Sequence, residues 1–112
     1  MKKFDVWLAD LDPSFTTEAG KIRPVVIVQT NKLNGKHNST VICPITTKLR
    51  PTSVLLRIRL LAPEGGITHD SEIMVDQLRA IGNARLIKKL GVIDTIHQQE
   101  LENKIKIVLD LT

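Results

Sequence analysis

The sequence predicts an α+β domain, mostly β, in which about five or six short strands form a small, closed or nearly closed barrel and one helix ends the chain. Three observations carry that prediction. Short apolar runs such as Pro24-Val25-Val26-Ile27-Val28 and Thr40-Val41-Ile42-Cys43 recur between turn residues. Helical spacing of apolar residues stands out only near the C-terminus. With 112 residues, the chain can bury one compact core but not two. Residues 1–112 therefore read as a single domain, without repeat, low-complexity segment or linker.

The elements follow in order. Phe4-Asp5-Val6-Trp7-Leu8-Ala9 alternates and predicts a strand. Asp12-Pro13-Ser14 begins a loop that runs to about Ile22. The run Pro24 to Val28 predicts a buried strand, and Asn34-Gly35 marks a turn inside the stretch from Asn31 to Ser39. Thr40 to Cys43 predicts another buried strand, stopped at or shortly after Pro44. Ser53 to Leu61 alternates, placing Val54, Leu56, Ile58 and Leu60 on one face and Arg57 and Arg59 on the other. Pro63-Glu64-Gly65-Gly66 is a turn, Glu72-Ile73-Met74-Val75 a strand, and Ala84 to Lys89 a short helical turn. Asp94 or Thr95 caps the last helix, and Thr95 with Gln98 fits a capping box. Leu101, Ile105, Val108 and Leu109 form its apolar stripe.

Composition narrows the function classes. Hydrophobic residues make up 42% and charged residues 25%, which a globular core requires and a disordered chain lacks. No apolar stretch is long enough for a membrane span. The start, with Asp5, Asp10 and Asp12 interrupting its apolar residues, does not fit a secretory leader. The single cysteine, Cys43, permits neither an internal disulfide nor a cysteine-based zinc site, which points to a reducing cytoplasm. Charge is uneven. No acidic residue lies between Glu18 and Glu64, a stretch holding Lys21, Arg23, Lys32, Lys36, Lys48, Arg50, Arg57 and Arg59. Such a half suits a polyanionic partner, nucleic acid above all, or else is a solvated basic face. With no tyrosine and only Phe4, Trp7 and Phe15 as aromatics, base stacking on a sheet is poorly supplied.

The reactive groups leave few chemistries open. Cys43 lies in an apolar run and reads as an inert buried thiol. His37, His69 and His97 are far apart in polar contexts and read as surface residues, without metal-ligand spacing. Asp70, Glu72 and Asp76 alternate, so they form either a carboxylate cluster for a metal nuclease or a solvated strand face. The loop Thr16-Thr17-Glu18-Ala19-Gly20-Lys21-Ile22-Arg23-Pro24 offers a carboxylate and an arginine held by a buried strand. Metal-free RNA cleavage needs a base for the 2′-OH, a cation for the phosphorane charge and a donor for the leaving oxygen. A carboxylate, an arginine and a hydroxyl can fill those roles.

Four segments in order give the chain a family resemblance. They are Asp5-Val6-Trp7-Leu8-Ala9-Asp10-Leu11-Asp12-Pro13, then Thr17 through Val28 with Arg23-Pro24 at its centre, then Cys43-Pro44-Ile45-Thr46-Thr47, then Asp76-Gln77-Leu78-Arg79-Ala80-Ile81. With the terminal helix they cover essentially the whole chain. In these segments the sequence resembles the MazF/PemK family of toxin endoribonucleases from type II toxin–antitoxin pairs. The resemblance implies an SH3-like barrel of the MazF/PemK/CcdB type with a C-terminal helix. It also implies a metal- and cofactor-free endoribonuclease that cuts single-stranded RNA at short motifs, leaving a 2′,3′-cyclic phosphate and a 5′-hydroxyl.

By position, the resemblance makes Arg23, Thr46 and Glu18 the catalytic residues. It makes Thr17, Lys21, Thr47, Lys48, Asp76, Gln77 and Arg79 the RNA-binding ones, with Asp76 and Gln77 also open to a role in bracing the barrel or a dimer. The family loop commonly reads Gly-Ser-Glu-Gln, whereas here it is Thr16-Thr17-Glu18-Ala19. The implied partners are a single-stranded mRNA substrate, a second copy of the chain, and an antitoxin with an acidic disordered tail, up to a toxin–antitoxin heterohexamer. Two other classes stay open: a CcdB-like toxin that poisons gyrase and cuts nothing, and a barrel that only binds RNA.

Overall fold

A computed structural model of the chain describes residues 1–11 and 21–111. Seven strands form one antiparallel sheet: β1 (Asp5–Asp10), β2 (Ile22–Ile27), β3 (Ser39–Thr46), β4 (Arg57–Leu60), β5 (Ser71–Met74), β6 (Arg79–Gly82) and β7 (Leu86–Val92). Helix α1 (Thr95–Val108) follows. The strand order is β4-β5-β3-β2-β1-β7, and β6 also pairs with β3.

Strand β3 organises the sheet. One part, Ser39 to Ile42, pairs with β6, while its end, Ile45 and Thr46, pairs with β5. Val25, Val26 and Ile27 of β2 pair with Pro44, Cys43 and Ile42 of β3. The strand was expected to stop at or shortly after Pro44, and it runs through Pro44 to end at Thr46. Pro44 falls where β3 has left β6 and has not yet met β5, so its missing N–H interrupts neither ladder.

The run Val25-Val26-Ile27 is apolar throughout because the sheet is buried on both faces. Val26, Cys43, Ile45, Ile58, Leu60, Ile73 and Leu101 build one core, and Val25, Ile27, Ile42, Ala9 and Leu11 build another. Helix α1 closes the first core with Leu101, fully buried, and with Ile105 and Val108 packed beside it. Asp94 caps the helix by accepting the His97 N–H at 2.9 Å. The His97 ring lies 2.7 Å from Glu64, which ties the helix start to the turn after β4.

The mostly-β fold with one C-terminal helix is as expected, and three details differ. The sheet is open: β4 and β7 share no ladder. Packing joins that end instead, because the Glu64–Gly66 turn sits on β7 so closely that a Cβ on Gly66 would strike the Leu90 carbonyl. The strand expected from Ser53 to Leu61 is only Arg57–Leu60. The preceding residues turn, and Val54 is 72% exposed. Where a helical turn was expected at Ala84 to Lys89, a 3-10 turn at Asn83–Arg85 leads into β7. As an edge strand, β7 half-buries Leu86 and Leu90 and leaves Lys88 and Lys89 in solvent, so it lacks a clean alternation.

Candidate nucleic-acid interface

A cleft of about 490 Å³ opens where the start of β2, the end of β3 and the β4–β5 connection meet. Its basic wall is Arg23, Lys48, Arg50 and Arg57, and its hydroxyls come from Thr46, Thr47, Thr68 and Ser71. The sheet explains the meeting. The β2–β3 ladder ends at the pair Val25 and Pro44, so the start of β2 with Arg23 and the end of β3 with Thr46 lie just beyond the same point of the sheet. Arg23 is also held by its pairing with Ala9 of β1.

Thr46 is 7% exposed, and its hydroxyl oxygen accepts the Lys48 N–H at 3.1 Å. That bond orients the oxygen and leaves the hydroxyl hydrogen to donate. Arg23 is half-buried. Burial, and then the charge of Arg79, push its guanidinium down from the ordinary arginine value. Two cations so close on a partly dry surface form a field that favours a bound anion.

Of the residues named by resemblance, the cleft brings together Arg23, Thr46, Thr47, Lys48 and Gln77. Lys21 is exposed just before Ile22 and is not part of the cleft wall. Arg79 is not part of the cleft wall; its Nη2 donates to the Leu11 carbonyl at 3.4 Å, and its charge acts on Arg23. Asp76 is exposed in a 3-10 turn outside the cleft. Thr17 and Glu18 lie outside the described residues. Sequence reasoning missed Arg50, Arg57 and His69 as cleft residues. Arg50 and Arg57 carried a signal, since both belong to the acid-free stretch; His69 carried none.

The carboxylate cluster does not form. Glu72 is 3% exposed rather than solvated. One of its oxygens accepts the Arg50 N–H at 2.8 Å and Arg57 Nη1 at 3.1 Å. The other accepts Arg59 Nη2 at 2.9 Å and Nε at 3.2 Å. Burial alone would raise its pKa, but the Arg50 N–H and the two guanidiniums outweigh that and hold it below the usual carboxylate value. Asp70 accepts the Ala62 N–H at 2.9 Å, and β5 ends before Asp76. Cys43 is fully buried, and burial together with the Asp76 charge pushes its thiol up to about 12, so it stays a neutral core residue.

No helix among the described residues is long and apolar enough to cross a membrane. Comparison with known proteins bears on the family and the fold. A curated relative, "Endoribonuclease MazF" of Staphylococcus saprophyticus subsp. saprophyticus, is 32% identical over 111 residues, 99% of this chain and 92% of its own. Among solved structures, a MazF toxin of Mycobacterium tuberculosis superposes with a TM-score of 0.81 at 22% identity, covering 96% of this chain and 98% of its own. MazF of Deinococcus radiodurans superposes at 0.82 with 19% identity, covering 98% and 96%. A mycobacterial endoribonuclease solved in complex with its cognate antitoxin superposes at 0.81 with 18% identity, covering 100% and 97%. At these identities the structures speak to the fold, an open form of the expected architecture. The model of the PemK-like, MazF-like toxins of type II toxin–antitoxin systems matches residues 2–109, so with the curated relative this chain belongs to that family.

Proposed function

We propose that the chain is the toxin of a type II toxin–antitoxin pair, acting as a metal-independent, sequence-specific endoribonuclease on single-stranded RNA. The observation that carries this reading is that Arg23 and Thr46 line one cleft walled by Lys48, Arg50 and Arg57. In this reading the ribose 2′-oxygen attacks the adjacent phosphorus while its proton passes to a base. The bond from phosphorus to the 5′-oxygen breaks, and that oxygen takes a proton. The products are a 2′,3′-cyclic phosphate and a 5′-hydroxyl. Arg23 stabilises the charge that gathers on the phosphoryl oxygens, which a fork of N–H donors does well. Thr46 donates its hydroxyl hydrogen to the phosphate or the leaving oxygen. Glu18 supplies the base, by resemblance.

A metal-free route is supported by Glu72, whose two oxygens are committed to arginines and a backbone N–H. The partners in this reading are a second copy of the chain and an antitoxin whose acidic disordered tail occupies the basic cleft, assembling up to a heterohexamer in the cytoplasm. Exposed Ile96, Ile107 and Leu111 supply apolar surface for such assembly. The purified protein should cut single-stranded RNA in excess EDTA and spare a duplex, whose A-form ribose keeps the 2′-oxygen out of line. Loss of activity with chelator, or no cutting of any single strand, would overturn the reading.

A further inference from the structure

Glu72 faces Thr46 across the β3–β5 ladder and Arg59 across the β4–β5 ladder. It therefore sits behind the cleft, out of reach of a ligand. Its bonds nevertheless lead back to the cleft by two routes. It accepts the Arg50 N–H at 2.8 Å, which pins the end of the segment leaving β3. It also accepts Arg57 Nη1, and that nitrogen donates to the Lys48 carbonyl at 2.8 Å. The Lys48 N–H in turn donates to the Thr46 hydroxyl. A continuous set of hydrogen bonds thus joins one buried carboxylate to Thr46, Lys48 and Arg50.

We propose that Glu72 is a positioning residue of the cleft: through Arg57 and the Arg50 N–H it holds the Thr46–Arg50 segment in the geometry that grips RNA. The proposal rests on the RNA-cleaving reading above. Its physical reason is that Thr47 to Arg50 are exposed and follow the last residue of β3, so the strand ladder alone does not hold them. A buried pair of this kind adds little net stability against an apolar substitute, but it fixes one arrangement. It also sets the sign of a test. Removing the Glu72 charge makes the region more positive, which by electrostatics alone should tighten the grip on a polyanion.

The test compares the native chain with Glu72→Gln and with Glu72→Gln/Arg59→Gln, in which the net charge of the cluster is restored. The probe is a single-stranded RNA carrying the mapped cleavage site, blocked by a 2′-O-methyl group at the cut. Both variants should bind it about tenfold more weakly, as expected for loss of charge-assisted hydrogen bonds. Equal or tighter binding by both folded variants would overturn the proposal. If they do not fold, Glu72→Asp decides, since it keeps the charge but is one methylene too short to reach Arg57 Nη1 and the Arg50 N–H, now at 3.1 and 2.8 Å. The proposal expects the same weakening there, and native-like binding would refute it. Cleavage by the native chain with unweakened variants removes only the role of Glu72, whereas a native chain that cuts no RNA removes the functional reading itself.

Discussion

Arg23 near the start of β2 and Thr46 at the end of β3 lie just past the last pair of the β2–β3 ladder, Val25 and Pro44, and both line one basic cleft. Each is set by packing rather than by a free loop. Val25, two residues along β2 from Arg23, and Ile45, next to Thr46, are buried in the two cores. A cation and a hydroxyl fixed in this way meet the requirement that catalytic groups ride on rigid elements.

Thr46→Ala should lower the cleavage rate less than loss of the arginine does, because a neutral hydroxyl gives a weaker hydrogen bond than a charged fork. Thr46→Ser should retain more activity than Thr46→Ala, since it keeps the oxygen that accepts the Lys48 N–H. Single-turnover rates on one oligonucleotide decide. Equal rates for the two variants would remove the hydroxyl from the chemistry.

Glu72 makes stability depend on acid. Its folded-state pKa lies below the ordinary value of 4.5, so its contribution is complete above that pH. The contribution is lost as pH falls through the lower, folded-state value. The thermal midpoint of the native chain should therefore drop below about pH 4.5, and Glu72→Gln should flatten that dependence. At neutral pH the substitution should cost about 1.5–3 kcal/mol, the range for hydrogen bonds to charged groups. Parallel pH profiles for the two proteins would show that Glu72 carries no such linkage.

The terminal helix is held by Leu101, which is completely buried at 0% accessibility. Leu101→Ala should destabilise the chain by about 2–5 kcal/mol through lost transfer energy and a residual cavity. Asp94→Ala should cost about 1 kcal/mol by freeing the His97 N–H. Urea unfolding measures both. A smaller effect for Leu101 than for Asp94 would mean that the helix does not close the core.

Cys43 should resist alkylation in the native state at pH 8, because its thiol ionises only near 12 and is shut in the core. Labelling should appear only when the chain is unfolded. Rapid labelling of the native protein, read by mass spectrometry, would contradict the placement of β3.

Local signals explain what the sequence made legible. Arg23-Pro24 precedes an apolar run, and Pro44-Ile45-Thr46 follows another, so both residues proposed as catalytic could be placed near strand ends before any register was known. The cap at Asp94 and the stripe ending at Val108 are likewise local. The losses were long-range. Asp70, Glu72 and Asp76 share a parity, but only the pairing of β5 with β4 shows that Glu72 meets two arginines. That pairing also turned Arg57 from a strand-face charge into part of the cleft. Strand β7 went unseen because its partner β1 is distant in sequence and its outer residues are lysines. Barrel closure depends on whether β4 and β7 meet, which alternation within either strand does not encode.

The most direct test of the account is cleavage of single-stranded RNA in excess EDTA by the native chain and by Arg23→Ala, with the ends of the products analysed. The native chain should leave a 2′,3′-cyclic phosphate and a 5′-hydroxyl. Arg23→Ala should be slower by about 10²–10³, the usual cost of losing a preorganised donor to developing charge. Its fold should survive, because Arg23 lies at the strand edge rather than in the core. Arg23→Lys should remain impaired, since an ammonium cannot reproduce the fork. Cleavage by Arg23→Ala at the native rate, or products ending in a 5′-phosphate, would contradict the account.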